Sequence, residues 1–397
     1  MKDVLNKKAV WFTAALGLLW LVLVVGDWGL RFVWFRWHVN LATRPRVQTA
    51  EATSWQVPAG SGGDLTRLLE VPGLVEAFAQ PRPARVEYRD EFGWPNPPAM
   101  AGRYCPVVVV GDSYMATGIS ASNTFSGSLA SLSGLPVYNY SEAGRGPLFC
   151  IERFVLDPRF VKDPPSVVVW GLVEREIGGD IFSGLIGRLK AEKAKVAVPD
   201  NRWVLHPDAL SPLQLKTSLP ASSALAQISR RVWTVIRYHL FSEVSEDMVV
   251  EASAPIEGRR FLFYVPAVKA MRWTRAERKP ELIADAVRYV ADVLKQRGTS
   301  LVIVLIPDKE QTYRDWLPDR LRTEPPGLAP SCLFDIEEEL KGSDVRVVNL
   351  LPLFRELAAK DRLLYWPDDT HWNPEGIDAA VAATWAVARE SVSEQPR

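Results

Sequence analysis

The chain has 397 residues, 47% of them hydrophobic, which is enough for one large domain with insertions or two smaller ones and excludes disorder throughout. Its 47 basic residues balance 47 acidic ones, so no overall field points to nucleic acid or a polyanionic surface as the main partner. Cys105, Cys150 and Cys332 always leave one thiol over, allow at most one bridge and fit a disulfide scaffold poorly.

From Ala9 to Gly26 the chain reads AVWFTAALGLLWLVLVVG, eighteen uncharged residues, about the shortest run that crosses a hydrocarbon core as a helix. Lys2, Lys7 and Lys8 precede it against a single Asp3, which predicts one pass through an inner membrane, a cytoplasmic N-terminus and a periplasmic remainder. Trp28, Trp34, Trp37, Arg31 and Arg36 follow as a collar for the far interface, so 1–37 reads as an anchor. A cleaved signal peptide is the alternative, but the run is long for one and VVGDWGL has no small-x-small site. Residues 38–100, with PAGSGGD and PRPARVEYRDEFGWPNPP, read as a stalk and lead-in to a catalytic domain over 101–397.

PVVVVGDS at 106–113 is an unbroken β-branched run ending in a turn, the pattern of a strand buried on both faces of a parallel sheet. A helix is expected over Ser122–Ser133, and four more short apolar runs follow at Leu135–Tyr140, Ser166–Gly171, Leu301–Ile306 and Val345–Leu350. Helical periodicity occupies Glu281–Gln296 and Pro374–Glu390. The alternation predicts a three-layer α/β/α sandwich on a mainly parallel five-strand sheet, flavodoxin-like, with functional groups at the carboxyl ends of the strands. It breaks between about 178 and 270, which reads as an insertion over the site.

Ser113 follows the first of these strands on a tight turn, where its hydroxyl and its own N–H face one pocket, and Gly111 would permit the sharp exit. GDS alone is weak, because all three residues are ordinary turn formers. Of four histidines, His371 in WPDDTHWNPEG stands between the fifth strand and the last helix, where the sheet would bring it near Ser113. Asp369 and Asp368 are both near enough in sequence to accept the Nδ1 proton. The same cluster also reads as an N-cap ahead of a helix at Pro374. Gly144, after the second strand, offers a backbone N–H that could join that of Ser113 in an oxyanion hole.

GDS after the first strand, a glycine after the second and a late Asp/His pair resemble blocks I, II and V of the SGNH (GDSL-type) hydrolase superfamily. More narrowly, VVGDSYM, VVVWGLVEREI, IPDKEQTY and DDTHWNPEG are similar to segments of the alginate O-acetyltransferase type of SGNH-like proteins, over roughly 104–380. The resemblance implies Asp369 rather than Asp368 as the partner of His371, and periplasmic work in exopolysaccharide acetylation. The chain departs from the family in two places: the alginate enzymes can carry the Asp/His element ahead of the serine, and most SGNH hydrolases have an Asn where this chain has GLVER. Arg175 could supply charge in place of that Asn with Glu174 orienting it, or the two could be a surface ion pair. Lys309 and Tyr313 are candidates to line an acceptor site, and Trp372 to stack on a sugar, whereas Trp170 and Trp273 read as core.

No zinc spacing, P-loop or dinucleotide glycine motif occurs, so neither metal nor cofactor is expected. The expected activity is O-acetyl transfer to a polysaccharide hydroxyl through a Ser113 acyl-enzyme, with a membrane-bound O-acyltransferase as donor partner. A carbohydrate O-acetyl esterase and a non-catalytic polysaccharide-binding subunit are the alternatives.

Overall fold

A computed structural model describes residues 11, 13–29, 53–57, 63–69, 82–100, 102–195, 224–241, 248–253, 260–322 and 331–393. The chain divides into two compact units, Met1–Gln48 with Asp200–Glu243, and Thr49–Pro199 with Val244–Arg397.

In the first unit, 13–29 is helical, and Leu16, Leu18, Leu19, Trp20, Leu21, Val22, Leu23, Val25 and Trp28 are exposed. Among the described residues no helix is long and apolar enough to cross a membrane, so the crossing expected over 9–26 is not met by any described helix. Residues 9, 10 and 12 and the collar beyond Gly29 lie outside the described residues. The unit's other described helix is Ala224–Phe241, where Val232, Trp233, Ile236, Leu240 and Phe241 are exposed.

The second unit holds the strands. β1 (Thr53–Val57) pairs antiparallel with β2 (Arg85–Arg89), so part of the stretch read as a stalk is an ordered ribbon. Then come β3 (Val107–Gly111), β4 (Val137–Ser141) and β5 (Val167–Val173). A second antiparallel ribbon, β6 (Val249–Ser253) with β7 (Arg260–Tyr264), precedes β8 (Ser300–Ile306) and β9 (Arg346–Asn349). The central sheet has the order β4-β3-β5-β8-β9 and every pairing in it is parallel.

Two-residue periodicity divides the side chains of these strands between two cores. Val108, Val110, Trp170, Leu172, Ile303 and Leu305 pack with Ile151 and Phe154 of the helix Phe149–Leu156 and with Ile283 and Val287 of Pro280–Lys295. Val107, Val109, Val167, Val169, Val302 and Val304 pack with Phe125 and Leu129 of Phe125–Ser133 and with Ile377 and Val381 of Pro374–Ser393. Apolar side chains on both faces explain why the strands read as continuous hydrophobic runs and why helices cover both sides. The three-layer α/β sandwich expected from the alternation is therefore the observed architecture. The strand order reverses at β3 and β5, and the crevice outside the carboxyl ends of these strands is where such sheets place their sites.

Within 178–270 the described elements are the helices Gly179–Phe182, Leu185–Lys195, Ala224–Phe241 and Val265–Met271, and the β6–β7 ribbon. Phe261 and Phe263 of β7 are buried in the second core, and the Leu262 N–H donates to the Pro367 carbonyl at 2.8 Å. All three cysteines are free.

Candidate active site

β3 ends at Gly111 because the next residues start a short helix, Ser113–Ala116, whose N-cap is Asp112; the Asp112 carboxylate accepts the Tyr114 N–H at 2.9 Å. Gly111 is required for space rather than for an unusual backbone: a Cβ there would lie 2.6 Å from Cγ of Met115. This turn sets Ser113 at the carboxyl edge of the sheet with its side chain partly exposed.

His371 reaches the same edge from a tight turn. An isolated antiparallel bridge joins Tyr365 and Trp372, and the Trp366 N–H donates to the His371 carbonyl at 3.2 Å. Asn373 then accepts the Gly376 N–H at 2.9 Å and opens the last helix, so the capping function foreseen for this cluster falls to Asn373. His371 Nε2 lies 2.8 Å from Ser113 Oγ, and Nδ1 lies 2.7 Å from Asp369 Oδ1. Asp369 Oδ1 also accepts the His371 backbone N–H at 3.1 Å. A carboxylate acceptor at Nδ1 fixes the proton there and leaves the Nε2 lone pair facing the serine.

Burial alone would raise the Asp369 carboxyl, but the charge and hydrogen bond of His371, with Arg82, hold it well below the usual carboxylate range. Burial likewise disfavours the charged imidazole, yet Asp369 and then Asp64 outweigh it and hold the His371 pKa above its ordinary 6.5.

Asp368 does not face the imidazole. It accepts the Gly63 N–H at 2.6 Å and Arg82 Nη2 at 2.8 Å, and Arg82 Nη2 also reaches Asp369 at 3.1 Å. Of the two candidates, Asp369 is the one hydrogen-bonded to His371. Gly144 lies in the exposed turn after β4 with φ +76°, a conformation that favours glycine.

Several expected site residues turn out to be scaffold. Arg175 donates from Nη1 both to Asp308, at 2.5 Å, and to the Tyr114 hydroxyl at 3.0 Å, so that nitrogen is committed to the scaffold. Glu174 does not orient it: Glu174 is buried, accepts the Ser331 hydroxyl at 2.7 Å and the Asp308 N–H at 3.3 Å, and touches no open surface. Burial, then the charge of Asp308, pushes the Glu174 carboxyl up to about 7. Lys309 is 0% exposed and cannot line an acceptor site; its Nζ donates to the carbonyls of Leu262, Trp366, Pro367 and Asp369 at 2.7 to 3.1 Å. Tyr313 is buried, with its hydroxyl accepting the Leu364 N–H at 2.6 Å. Trp372 is buried too, stacks on Phe125 at 5.8 Å and donates its indole N–H to the Tyr114 carbonyl at 3.1 Å, so no sugar can lie on it. Trp170 is core as expected, whereas Trp273 is exposed beside Arg278.

Four contributors escaped the sequence reading. Tyr114 ties the serine turn to the histidine turn by donating to the Thr370 carbonyl at 2.5 Å. Asp308 holds Arg175 beneath it. Asp64 and Arg82 come from the segment read as a lead-in and meet the Asp368–His371 turn from above 280 residues away in sequence. Donor atoms of Asp64, Asp369 and His371 lie within 4.8 Å of one another, the one such group among the described residues. In this structure those atoms hydrogen-bond to Thr370, Arg82, Ser113 and each other.

The family model described as ALGX, SGNH hydrolase-like domain, acetyltransferase AlgX, matches residues 40–174 and 262–397, more than half of the chain. The chain belongs to this family. The unmatched stretch, 175–261, overlaps the 178–270 region read as an insertion, and the match includes the segment that supplies Asp64 and Arg82. Among curated proteins, the chain is 32% identical over 117 residues to a probable alginate O-acetylase AlgJ of Azotobacter vinelandii, covering 28% of this chain and 29% of that protein. It is 25% identical over 179 residues to a probable alginate O-acetylase AlgJ of Pseudomonas putida, covering 45% and 43%. The chain thus spans less than half the length of these relatives. The solved O-acetyltransferase domain of Pseudomonas putida AlgJ is similar over 37% of this chain and 49% of that one, at 22% identity and a TM-score of 0.20.

Proposed function

We propose that this AlgX-family chain is an O-acetyltransferase that moves an acetyl group onto hydroxyls of an exopolysaccharide or cell-envelope glycan through an acyl-enzyme on Ser113. The observation that carries the reading is the continuous hydrogen-bonded line from Ser113 Oγ through His371 to Asp369, at 2.8 and 2.7 Å. In this reading His371 Nε2 takes the hydroxyl proton as Oγ attacks the donor carbonyl, and the departing group takes that proton back. Asp369 stabilises the imidazolium that exists between those steps. The Ser113 and Gly144 N–H groups are proposed as donors to the oxyanion. A sugar hydroxyl then loses its proton to His371, attacks the acyl-enzyme and releases Ser113.

The acceptor class follows from the relatives, which are named as alginate O-acetylases. We further propose that the 9–26 stretch anchors the chain to the inner membrane, with the second unit in the periplasm. The lysines ahead of that stretch and the exposed leucines and tryptophans of 13–29 support this reading. A membrane-bound O-acyltransferase is the proposed source of acetyl groups.

The test is to give the full-length protein an activated acetyl ester with and without oligosaccharide. Acetylated sugar as product supports transfer, acetate alone makes the protein an esterase, and no turnover makes it a binding subunit. Ser113→Ala is expected to lower turnover by roughly three orders of magnitude or more.

A further inference from the structure

We infer that Asp64 is a positioning residue for His371, a second carboxylate that holds the histidine turn from outside and stabilises the imidazolium during acyl transfer; this rests on the acyl-enzyme reading above. The Asp64 carboxylate accepts the Thr370 N–H at 2.8 Å and the Thr370 hydroxyl at 2.5 Å, and its Oδ2 lies 3.5 Å from His371 Nδ1. Its placement is enforced by its neighbours. Gly63 donates to Asp368 at 2.6 Å, and a Cβ at Gly63 would lie 2.1 Å from the Asp368 carbonyl oxygen, so only glycine lets this segment sit against the turn. The helix Asp64–Leu69 then buries Leu65 and Thr66.

Asp369 Oδ1 already takes the Nδ1 proton, so the role of Asp64 is electrostatic and conformational. It fixes the residue immediately before the histidine, and, although burial and then Asp369 raise its own pKa while His371 lowers it, its ionised carboxylate sets a second negative charge within the 4 to 6 Å over which charge raises an imidazole pKa. The charged and titratable groups around this point are Asp64, Asp368, Asp369 and Arg82 at the turn, Asp112 and Tyr114 beside the serine, Arg175 and Glu176 after β5, Asp308, Lys309 and Glu310 after β8 and Tyr264 at the end of β7. Arg175 acts against the imidazolium, and the carboxylates act for it.

Asp64→Asn separates shape from charge. The amide oxygen can still accept the Thr370 N–H and the amide nitrogen can donate to the Thr370 hydroxyl, so a purely structural role survives the change. Expected for this variant are an acid limb of the turnover profile lowered by roughly one pH unit, a several-fold lower kcat and an unchanged KM. Asp64→Glu, which keeps the charge, should leave the limb near its original position. The readout independent of turnover is the NMR titration of the His371 Cε1 proton in the full-length protein, assigned with a His371→Gln variant. It should show the same downward shift in Asp64→Asn. An unmoved His371 titration in Asp64→Asn overturns the proposal, even if kcat falls. Full turnover in Ser113→Ala would instead sink the acyl-enzyme reading, while the titration would still decide the effect of Asp64 on the imidazole.

Discussion

Replacing Lys309 with methionine, which keeps the length of the side chain and removes its charge, should loosen the turn that carries His371. The buried ammonium has three protons for four carbonyl oxygens, three of which belong to Trp366, Pro367 and Asp369 of that turn and one to Leu262 of β7. Hydrogen bonds from a charged donor are worth roughly 1.5 to 3 kcal/mol each. The desolvation of the ammonium offsets several kcal/mol of that sum. Burial has pushed the Lys309 pKa down to about 8, against the pull of Glu310, Asp368, Asp369 and Asp64, so the group is still protonated at neutral pH. The net loss on substitution should be about 3 kcal/mol, because buried carbonyls are left without a donor. For a unit of this size that lowers Tm by roughly 5 °C. Thermal unfolding followed by circular dichroism measures it, and kcat and KM for an activated acetyl ester complete the experiment. The scaffold role predicts a lower Tm and a lower kcat. An unchanged Tm with only KM raised would refute this reasoning and return Lys309 to the substrate.

Other substitutions divide the turn further. Because His371 must be neutral to accept a proton and its pKa is held above 6.5, turnover should be lost as pH falls through that raised value, as a pH profile of kcat/KM will show. By linkage, the stabilisation from the raised pKa is fully present below about 6.5 and is lost as pH rises through the folded-state value. Asp369→Asn removes the largest favourable influence on the imidazole; kcat should fall by roughly three to four orders of magnitude and the acid limb should move down. Asp368→Asn should keep kcat within about tenfold while lowering Tm, since Asp368 binds Gly63 and Arg82 rather than the ring; equal losses in the two asparagine variants would contradict the assignment. Trp372→Phe should cost about 1 kcal/mol of stability, from the lost bond to the Tyr114 carbonyl, and leave KM for oligosaccharide unchanged, whereas a raised KM would mean that the indole meets sugar.

The sheet was legible because strands covered on both faces leave no room for polar residues, so valine runs such as 107–110 announce themselves and their order limits the connections. The nearness of Ser113 and His371 at the carboxyl edge of the sheet was legible only in outline: Ser113 follows β3 directly, whereas His371 comes after β9 and the intervening helix Leu351–Ala358. What the sequence could not separate was a polar residue facing solvent at that edge from one turned back onto the backbone. Lys309, Tyr313, Trp372 and Glu174 all sit just beyond strands or beside the histidine, yet each spends its polar atoms on carbonyls, N–H groups or hydroxyls of neighbouring turns. Asp64 and Arg82 were illegible for a different reason. They lie in a stretch with weak periodicity and find their partners 286 to 306 residues later, a pairing that local pattern does not encode.

Acyl transfer through Ser113 requires a covalent acetyl-serine on the way to product. The most direct measurement is peptide mass spectrometry of the full-length protein, mixed with an activated acetyl ester and quenched in acid before turnover is complete. An acetyl adduct is expected on the peptide containing Ser113, discharged when oligosaccharide is added and missing in Ser113→Ala. Steady acetyl turnover with no adduct on that peptide, or undiminished turnover in Ser113→Ala, would contradict acyl transfer through Ser113.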